Sequence, residues 1–436
     1  MFLDIHVVRA GDTLYSIGRM HGVAPGLIAR YNGLREPYRL AVGQSLLILR
    51  PLLTYTVRPG DSLYSIGKQF GVGVRELWRN NPNLSGGTRI YPGQVLVIRL
   101  EEKRTRGLDV SGYAYPFVSP PVLRGILPYA AFLAPFTYGI SAEGGLVPLD
   151  DAALLALARE YGASPLLHLS TLTEDGGFSS LRAEQVLLDP ERAESLIEET
   201  AAMMVRKGYA GVDVDFEFLG APLAEAYADF VGALRRTIGR LGGIVIAALA
   251  PKTSAAQRGV LYEGHDYQKI AANADFVLVM SYEWGYTYGP PMAVAPIDAV
   301  RRVIEYAVSE MPAEKIFMGF PNYAYDWALP YQAGTTRAEL IGNEAAAELA
   351  VRVGAEIGYD ETAQTPYFHY TGADGLVHEV WFEDARSCAA KFDLLESYGL
   401  HGLGVWNFMR PFTAAFSLLN YRFALRTLVD KAVKNV

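Results

Sequence analysis

The stretch Gly211–Leu219, GVDVDFEFL, carries acids at Asp213, Asp215 and Glu217, with Val212, Val214, Phe216 and Phe218 between them. Successive side chains of a strand alternate faces, so the three acids share one face and the apolar residues the other. Neighbouring acids then stand roughly 6.6 Å apart at the backbone, two strand rises. Carboxylates that close repel one another. Such a segment is either a half-exposed strand with a solvated acidic face or a strand whose chemistry needs gathered carboxylates.

The elements around it bear on the choice. Short apolar runs occur near 109–115, 130–140, 164–171, 211–218, 243–252, 276–284, 316–327 and 402–409. Amphipathic helical patterns separate them, among them DPERAESLIEETAAMMVRKG and EAYADFVGALRRTIGRLGG. Eight strands alternating with helices predict an α/β fold, a parallel (β/α)8 TIM barrel. The interval 328–401 is too long for one helix and reads as a helix followed by strand hairpins, a small α+β insertion at about 335–390. Active sites of such barrels sit at the C-terminal ends of the strands. The acids fall on the fourth run with Glu217 nearest the mouth, and other runs end in Tyr113 and Tyr115, Tyr282 and Glu283, Asn322 and Tyr325, and Trp406 and Asn407. That coincidence favours a site over a solvated face. His168 and His401 end or precede strands and read as core or capping residues.

Composition sets the limits. Hydrophobic residues make 50% and charged residues 20% of 436, as in a soluble globular protein with a sizeable core. No run of 18 apolar residues predicts a membrane helix, and the N-terminal MFLDIHVVRAGD lacks the basic and apolar regions of a secretory signal. The single Cys388 reads as a small buried residue. There is no metal-ligand spacing and no phosphate loop, so neither metal nor cofactor is expected. Residues 1–100 hold 12 Lys+Arg and 5 Asp+Glu, a net +7, while the whole chain is at -8, which leaves -15 for the remainder. The basic part favours an anionic partner, but its arginines are scattered and carry no nucleic-acid-binding motif.

That basic part is a repeat. VVRAGDTLYSIGRMHGV (Val7–Val23) matches TVRPGDSLYSIGKQFGV (Thr56–Val72), and VGQSLLIL (Val42–Leu49) matches PGQVLVIR (Pro92–Arg99). Each copy predicts a βααβ unit: a strand, a Gly-Asp turn with Thr or Ser capping a helix, a second helix, and a GQ turn into a strand. The pattern resembles LysM carbohydrate-binding modules, at 1–51 and 52–100, with the charged stretch 101–107 as linker and the barrel at 108–430. The resemblance implies N-acetylglucosamine-glycan binding between the first turn and an opposing loop. The turn positions are Gly11, Asp12, Thr13 and Leu14, and Gly60, Asp61, Ser62 and Leu63. The loops lie near Asn32 and Gly33, and near Pro82, Asn83 and Leu84. The Asp and Thr or Ser side chains have an alternative task as helix caps.

GVDVDFE resembles the D-G-x-D-x-D-x-E signature of family 18 glycoside hydrolases, and MSYEW (Met280–Trp284) resembles that family's M-x-Y-D strand. Two positions depart: Ala210 replaces the first Asp, and Glu283 replaces the Asp of M-x-Y-D. The resemblance implies a substrate-assisted retaining mechanism. Glu217 protonates the glycosidic oxygen, Asp215 orients the attacking acetamide, Asp213 sets the state of Asp215, and Tyr282 bonds the acetamide oxygen. Trp406 falls where a tryptophan lies under the sugar. Tyr113, Tyr115, Met280, Glu283, Trp284, Phe320 and Asn322 complete the expected substrate-binding set, with Phe136 and Trp327 as further aromatics, and each aromatic here other than Trp406 has packing in the barrel's apolar core as its alternative task. YEWGYTYGPP, GFPNYAYDW and VWFEDARS resemble spore cortex-lytic N-acetylglucosaminidases and their cell-wall relatives. The implied function is a peptidoglycan N-acetylglucosaminidase held on spore cortex or cell wall by its modules. The alternatives are a non-catalytic glycan-binding wall or spore protein and a chitinase. The implied location is the spore or wall without a signal peptide, after cytoplasmic synthesis.

Overall fold

The computed structural model describes residues 4–101, 104, 106–173 and 177–426. Parts of the expected linker (102, 103 and 105) and of the expected barrel end (427–430) lie outside the described residues.

Eight strand positions form the barrel. They are Gly107–Ala114, Phe132–Pro135, a third strand in two pieces (Ser164–Pro165 and Leu167–Ser170), Gly211–Asp215, Ile244–Leu249, Phe276–Val279, Ile316–Pro321 and Gly402–Trp406. All pair in parallel around one sheet. The split third strand closes the ring, one piece pairing with the second strand and the other with the fourth. The barrel interior is filled by a layer that includes Phe132, Leu166, Ile246, Leu278 and Phe317. Val212 and Val214 face the other way, into the apolar layer between sheet and helices. Both faces of the fourth strand are thus buried, and Asp213 is 1% exposed, which excludes a solvated acidic face.

The fourth strand ends sooner than its alternation predicts. Pairing stops at Asp215, and Phe218 takes a φ of 56°. Two bonds hold the turn: His265 Nε2 meets the Phe216 carbonyl at 2.9 Å, and the Ser180 hydroxyl donates to the Phe218 carbonyl at 2.9 Å. The run 316–327 also divides. Ile316–Pro321 stays in the barrel, while Ala324–Ala328 turns away into a five-stranded antiparallel sheet with Glu339–Ile341, Gly358–Asp360, Thr365–Thr371 and Val377–Trp381. The inserted sheet therefore begins before 335, and residues 385–390 belong to the helix Ala385–Ser397, which leads back into the eighth strand. The sequence pattern hid this because Ala324–Ala328 continues the apolar run of the strand before it.

Each N-terminal repeat is a two-stranded antiparallel sheet with two helices: Asp4–Val7, Leu14–His21, Pro25–Tyr31 and Ser45–Ile48, then Pro51–Thr56, Leu63–Phe70, Val74–Asn80 and Val95–Leu100. Both modules are docked on the rest of the chain, the second on the barrel and the first on the inserted sheet. Arg75 of the second threads its guanidinium among barrel carbonyls, donating to Pro128 at 2.7 Å, Gly162 at 2.9 Å and Leu127 at 3.1 Å, and also to Ala130. Trp78 packs on Tyr161 at 5.0 Å between ring centres, and the Tyr161 hydroxyl donates to the Gly86 carbonyl at 2.7 Å. Gly86 has to be glycine, since a Cβ there would stand 2.4 Å from the Arg124 carbonyl oxygen. In the first module a Cβ on Gly43 would stand 1.9 Å from the Ile357 carbonyl oxygen of the insertion. Ile357 N–H donates to the Val42 carbonyl at 2.9 Å, and Ala41 joins the apolar core of the inserted sheet.

Because a guanidinium serves these carbonyls from inside the seam, losing it strands several of them at once. Arg75→Ala should cost about 2–4 kcal/mol, and Arg75→Lys should recover only part, since an ammonium cannot reproduce the planar fork. Thermal unfolding of the full chain measures it; a wild-type midpoint for Arg75→Ala would mean the seam does not contribute to stability.

Candidate active site

Asp213 and Asp215 enter the barrel because the fourth strand directs every second side chain inward. In register beside them on the third strand stand His168 and Ser170. His168, fully buried, places Nδ1 3.1 Å from Asp213 Oδ2 and Nε2 3.9 Å from Asp215 Oδ2. Phe136 stacks on the imidazole at 4.9 Å and Tyr113 meets its edge at 5.1 Å. Sequence reasoning read His168 as a core histidine. It is buried, but it is packed against both aspartates, and the signal available in the sequence was its place on the strand that must neighbour the acidic one.

Burial opposes ionisation of Asp215, and the charges of Glu217 and Asp213 add to it, so its carboxyl titrates well above the usual range. Burial likewise pushes Glu217 up to about 7, with the Glu283 charge adding in the same direction. Tyr282 is 7% exposed, and its hydroxyl is held strongly in the neutral form by burial and by the surrounding acids. Glu283, exposed at the mouth with a φ of 70°, accepts from the hydroxyl of Tyr323 and from that of Tyr325 at 3.3 Å.

These groups open on a cavity of about 510 Å³. Asp215, Glu217, Tyr282 and Glu283 reach it, with Met280, Tyr113, Tyr115 and Trp406 among its walls. Trp406 forms one aromatic face, its ring 5.3 Å from Tyr113 and 5.0 Å from Phe136. Phe178, Leu261 and Tyr262 also line it. They come from loops without periodicity, and nothing in their sequence marked them.

Other expected residues lie elsewhere. Asn322 is 1% exposed and gives its amide to the carbonyls of Asn407 and Arg410, both at 2.8 Å, so it fixes the loop after the last strand instead of lining the cavity. Phe320 points to the helix side and packs near Phe392. Trp284 packs against the helix-side core, and Trp327 is fully buried with its indole N–H on the Gly289 carbonyl at 2.9 Å. In each case the strand's alternation or its exit from the barrel turned the side chain away.

In the modules, Thr13 and Ser62 cap their helices, and Leu14 and Leu63 are buried core residues. Asp12 and Asp61 close the Gly11 and Gly60 turns by accepting from the backbone N–H of Arg9 at 2.8 Å and of Arg58 at 2.7 Å. The repeated Asn32 and Asn81 clamp the last strand of each module, each accepting from and donating to one residue of it, Leu47 and Val97. Asn83 is exposed and lines a shallow groove with Gly87, Arg89 and Tyr91. Among the described residues no group of acids, histidines and cysteines could hold a metal, and no helix is long and apolar enough to cross a membrane.

Residues 169–410 match the model of glycosyl hydrolases family 18, and residues 6–49 and 55–99 match the LysM domain model. The chain belongs to glycosyl hydrolases family 18. It is 37% identical to the cortical fragment-lytic enzyme of Bacillus subtilis (strain 168), over 97% of this chain and 98% of that one. The crystal structure of the Bacillus megaterium QM B1551 spore cortex-lytic enzyme SleL is similar along the whole chain: 35% identity, TM-score 0.82, covering 98% of this chain and 99% of that chain. A chitinase from Chromobacterium violaceum shares the fold, with 24% identity and a TM-score of 0.66 over 72% of this chain and 98% of that one. This family 18 hydrolase is thus a glycoside hydrolase with two LysM modules ahead of its barrel.

A raised carboxyl pKa stabilises the fold below the ordinary value of 4.5 and penalises it as pH rises past that value towards about 7. Glu217→Gln removes the penalty. The variant should be more stable than wild type at pH 8, by on the order of 1–3 kcal/mol, and should match it near pH 4. Thermal melts at both pH values check the sign; equal stabilisation at both would contradict a shifted carboxyl.

Proposed function

We propose that the enzyme hydrolyses N-acetylglucosaminyl bonds of spore-cortex peptidoglycan with retention, using the substrate's acetamide as nucleophile. The observation that carries the reading is a carboxyl titrating near 7, Glu217, beside a buried Asp215–Asp213 pair in an aromatic-walled cavity. Glu217 gives its proton to the glycosidic oxygen, and the leaving sugar departs as an alcohol. The acetamide oxygen attacks the anomeric carbon and closes an oxazolinium ring. Asp215 accepts the acetamide N–H and offsets the positive charge that develops there, while the Tyr282 hydroxyl donates to the acetamide oxygen. Water then attacks the same carbon, the bond from that carbon to the acetamide oxygen breaks and restores the acetamide, and the water gives up a proton to Glu217.

Asp213 and His168 act through Asp215. Burial, with the charges of Glu217 and Asp213 adding to it, keeps a proton on Asp215 in the free enzyme. When the acetamide arrives, that proton can pass towards Asp213, and Asp215 becomes the acceptor that the substrate N–H needs. His168 holds Asp213 in place and is a positioning residue. The cortex substrate is supported by the full-length likeness to the cortical fragment-lytic enzyme and SleL. The modules would keep the enzyme at the wall as two linked binding units.

Glu217→Gln should lower kcat at least about a hundredfold with little change in KM. The wild-type rate should fall above pH 7, where Glu217 has lost the proton it must donate. Turnover near the wild-type rate by the Gln variant, on a substrate whose leaving group needs protonation, would remove Glu217 from this role.

A thiazoline mimic of the oxazolinium should inhibit competitively, and mass spectrometry of digests should find N-acetylglucosamine at the new reducing ends of cortex fragments. A covalent sugar trapped on Asp215 or Glu217 would indicate a carboxylate nucleophile instead. Efficient cleavage of chitin oligomers beside inert cortex would favour a chitinase.

A further inference from the structure

Glu217 lies two residues beyond Asp215, the last paired residue of its strand, so backbone outside the sheet ladder aims its carboxyl. Between the fourth and fifth strands the register ends sooner still, at Val214 and Ala247. Past that point one side chain joins the two. The Ala250 N–H donates to His265 Nδ1 at 2.8 Å, and His265 Nε2 bonds the Phe216 carbonyl at 2.9 Å. A backbone N–H can only donate, so Nδ1 is the acceptor and the proton stays on Nε2. The imidazole therefore carries the donor and acceptor pattern of the sheet across the gap where the strands separate, one residue before the acid.

The bridge is itself held. His265 is fully buried, its ring 5.7 Å from that of Tyr227, which stacks on Phe216 at 5.5 Å. Burial pushes the imidazole down to about 4 and keeps it neutral, as its two opposed hydrogen bonds require. Beside it, the Gly264 N–H donates to the Leu219 carbonyl at 2.8 Å, on the far side of the acid. Lys252, also buried, donates through Nζ to the His265 carbonyl at 2.9 Å, and its backbone N–H donates to the Tyr267 hydroxyl at 3.0 Å. Residues 264–267 thus grip the turn that carries Glu217 on one side and the end of the fifth strand on the other. They also close the loop that brings Pro251, Leu261 and Tyr262 to the cavity wall.

We infer that His265 is a positioning residue for the general acid: its bridge from Ala250 to Phe216 holds the backbone before Glu217 where the carboxyl reaches the glycosidic oxygen. This inference rests on the reading of Glu217 as the proton donor. His265 does not line the catalytic cavity, so its effect on the reaction passes through the acid it holds. Losing it should cost rate and spare binding, because a small displacement of a reacting group slows the chemical step while the walls of the cavity still hold the sugar.

The test measures kcat and KM of the full chain on cortex fragments or chitin oligomers, whichever the wild type cleaves. His265→Leu removes both bonds; it should lower kcat about ten- to a hundredfold and leave KM near the wild-type value. His265→Gln, whose amide offers one donor and one acceptor, should recover most of the loss. Introduced beside Glu217→Gln, His265→Leu should lower the residual rate no further, because the effects of residues that act as a unit do not add. Should His265→Leu fail to fold, His265→Asn, whose shorter amide reaches only one partner, takes its place in the same cycle. A wild-type kcat for that variant, a Gln variant just as slow, or a full additional loss in the Glu217→Gln background overturns the positioning role and leaves the acid standing. A Glu217→Gln variant that works at the wild-type rate overturns both.

Discussion

Burial in and at the mouth of a closed barrel holds two gathered carboxyl groups, Asp215 and Glu217, towards their neutral forms, and much of this protein's architecture follows from that constraint. Asp213 and Asp215 are buried, and burial together with the charges of Glu217 and Asp213 opposes ionisation of Asp215. The result is a buried pair backed by one imidazole and an outer acid, Glu217, that keeps its proton to about pH 7. A half-exposed strand with the same sequence would hold three ordinary carboxylates. The eight-stranded ring with its helical coat is what turns alternating acids into groups of different protonation.

The same burial has a stability cost that the surrounding packing must offset. Phe136 and Tyr113 cover His168, Trp406 covers both aromatics, and the apolar face of the fourth strand is sealed by Tyr227 and Phe230 against Phe216. The opposite layer continues without a break into the modules, where Tyr31, Leu47 and Val97 belong to one apolar core with the helices of the barrel. Docking thus enlarges the core that supports the site, and it fixes how the modules stand relative to the cleft.

Docking also changes the meaning of the charge asymmetry. A net +7 against -15 suggested modules reaching for an anionic partner. Part of that positive charge serves the protein itself: Arg75 is spent on barrel carbonyls, and Arg50 pairs with Asp4 at 2.9 Å. The two repeats diverge where they touch the barrel. Arg75 and Trp78 of the second copy correspond to Gly26 and Ala29 of the first, while the clamp Asn32 and its partner Asn81 are retained. Positions that make the module fold repeat; positions that make the seam do not.

The barrel, the two βααβ units and the acids at Asp213, Asp215 and Glu217 were legible in the sequence because each rests on a local period or a short motif. Alternation of two, amphipathic helices and paired Gly-Asp turns are properties of neighbouring residues and survive without tertiary context. The remainder depended on residues far apart in the chain. His168 became part of the site only when the third strand lay in register beside the fourth, and Tyr262 and Phe178 only when their loops folded over the mouth. Asn322 and Phe320 left the expected set because the local pattern does not say which way a strand's end faces once it leaves the barrel. The sequence by itself determined which side chains could do the chemistry; the closed sheet and the docked modules decided which were buried, which were protonated and which met, because burial and distance are properties of the whole chain.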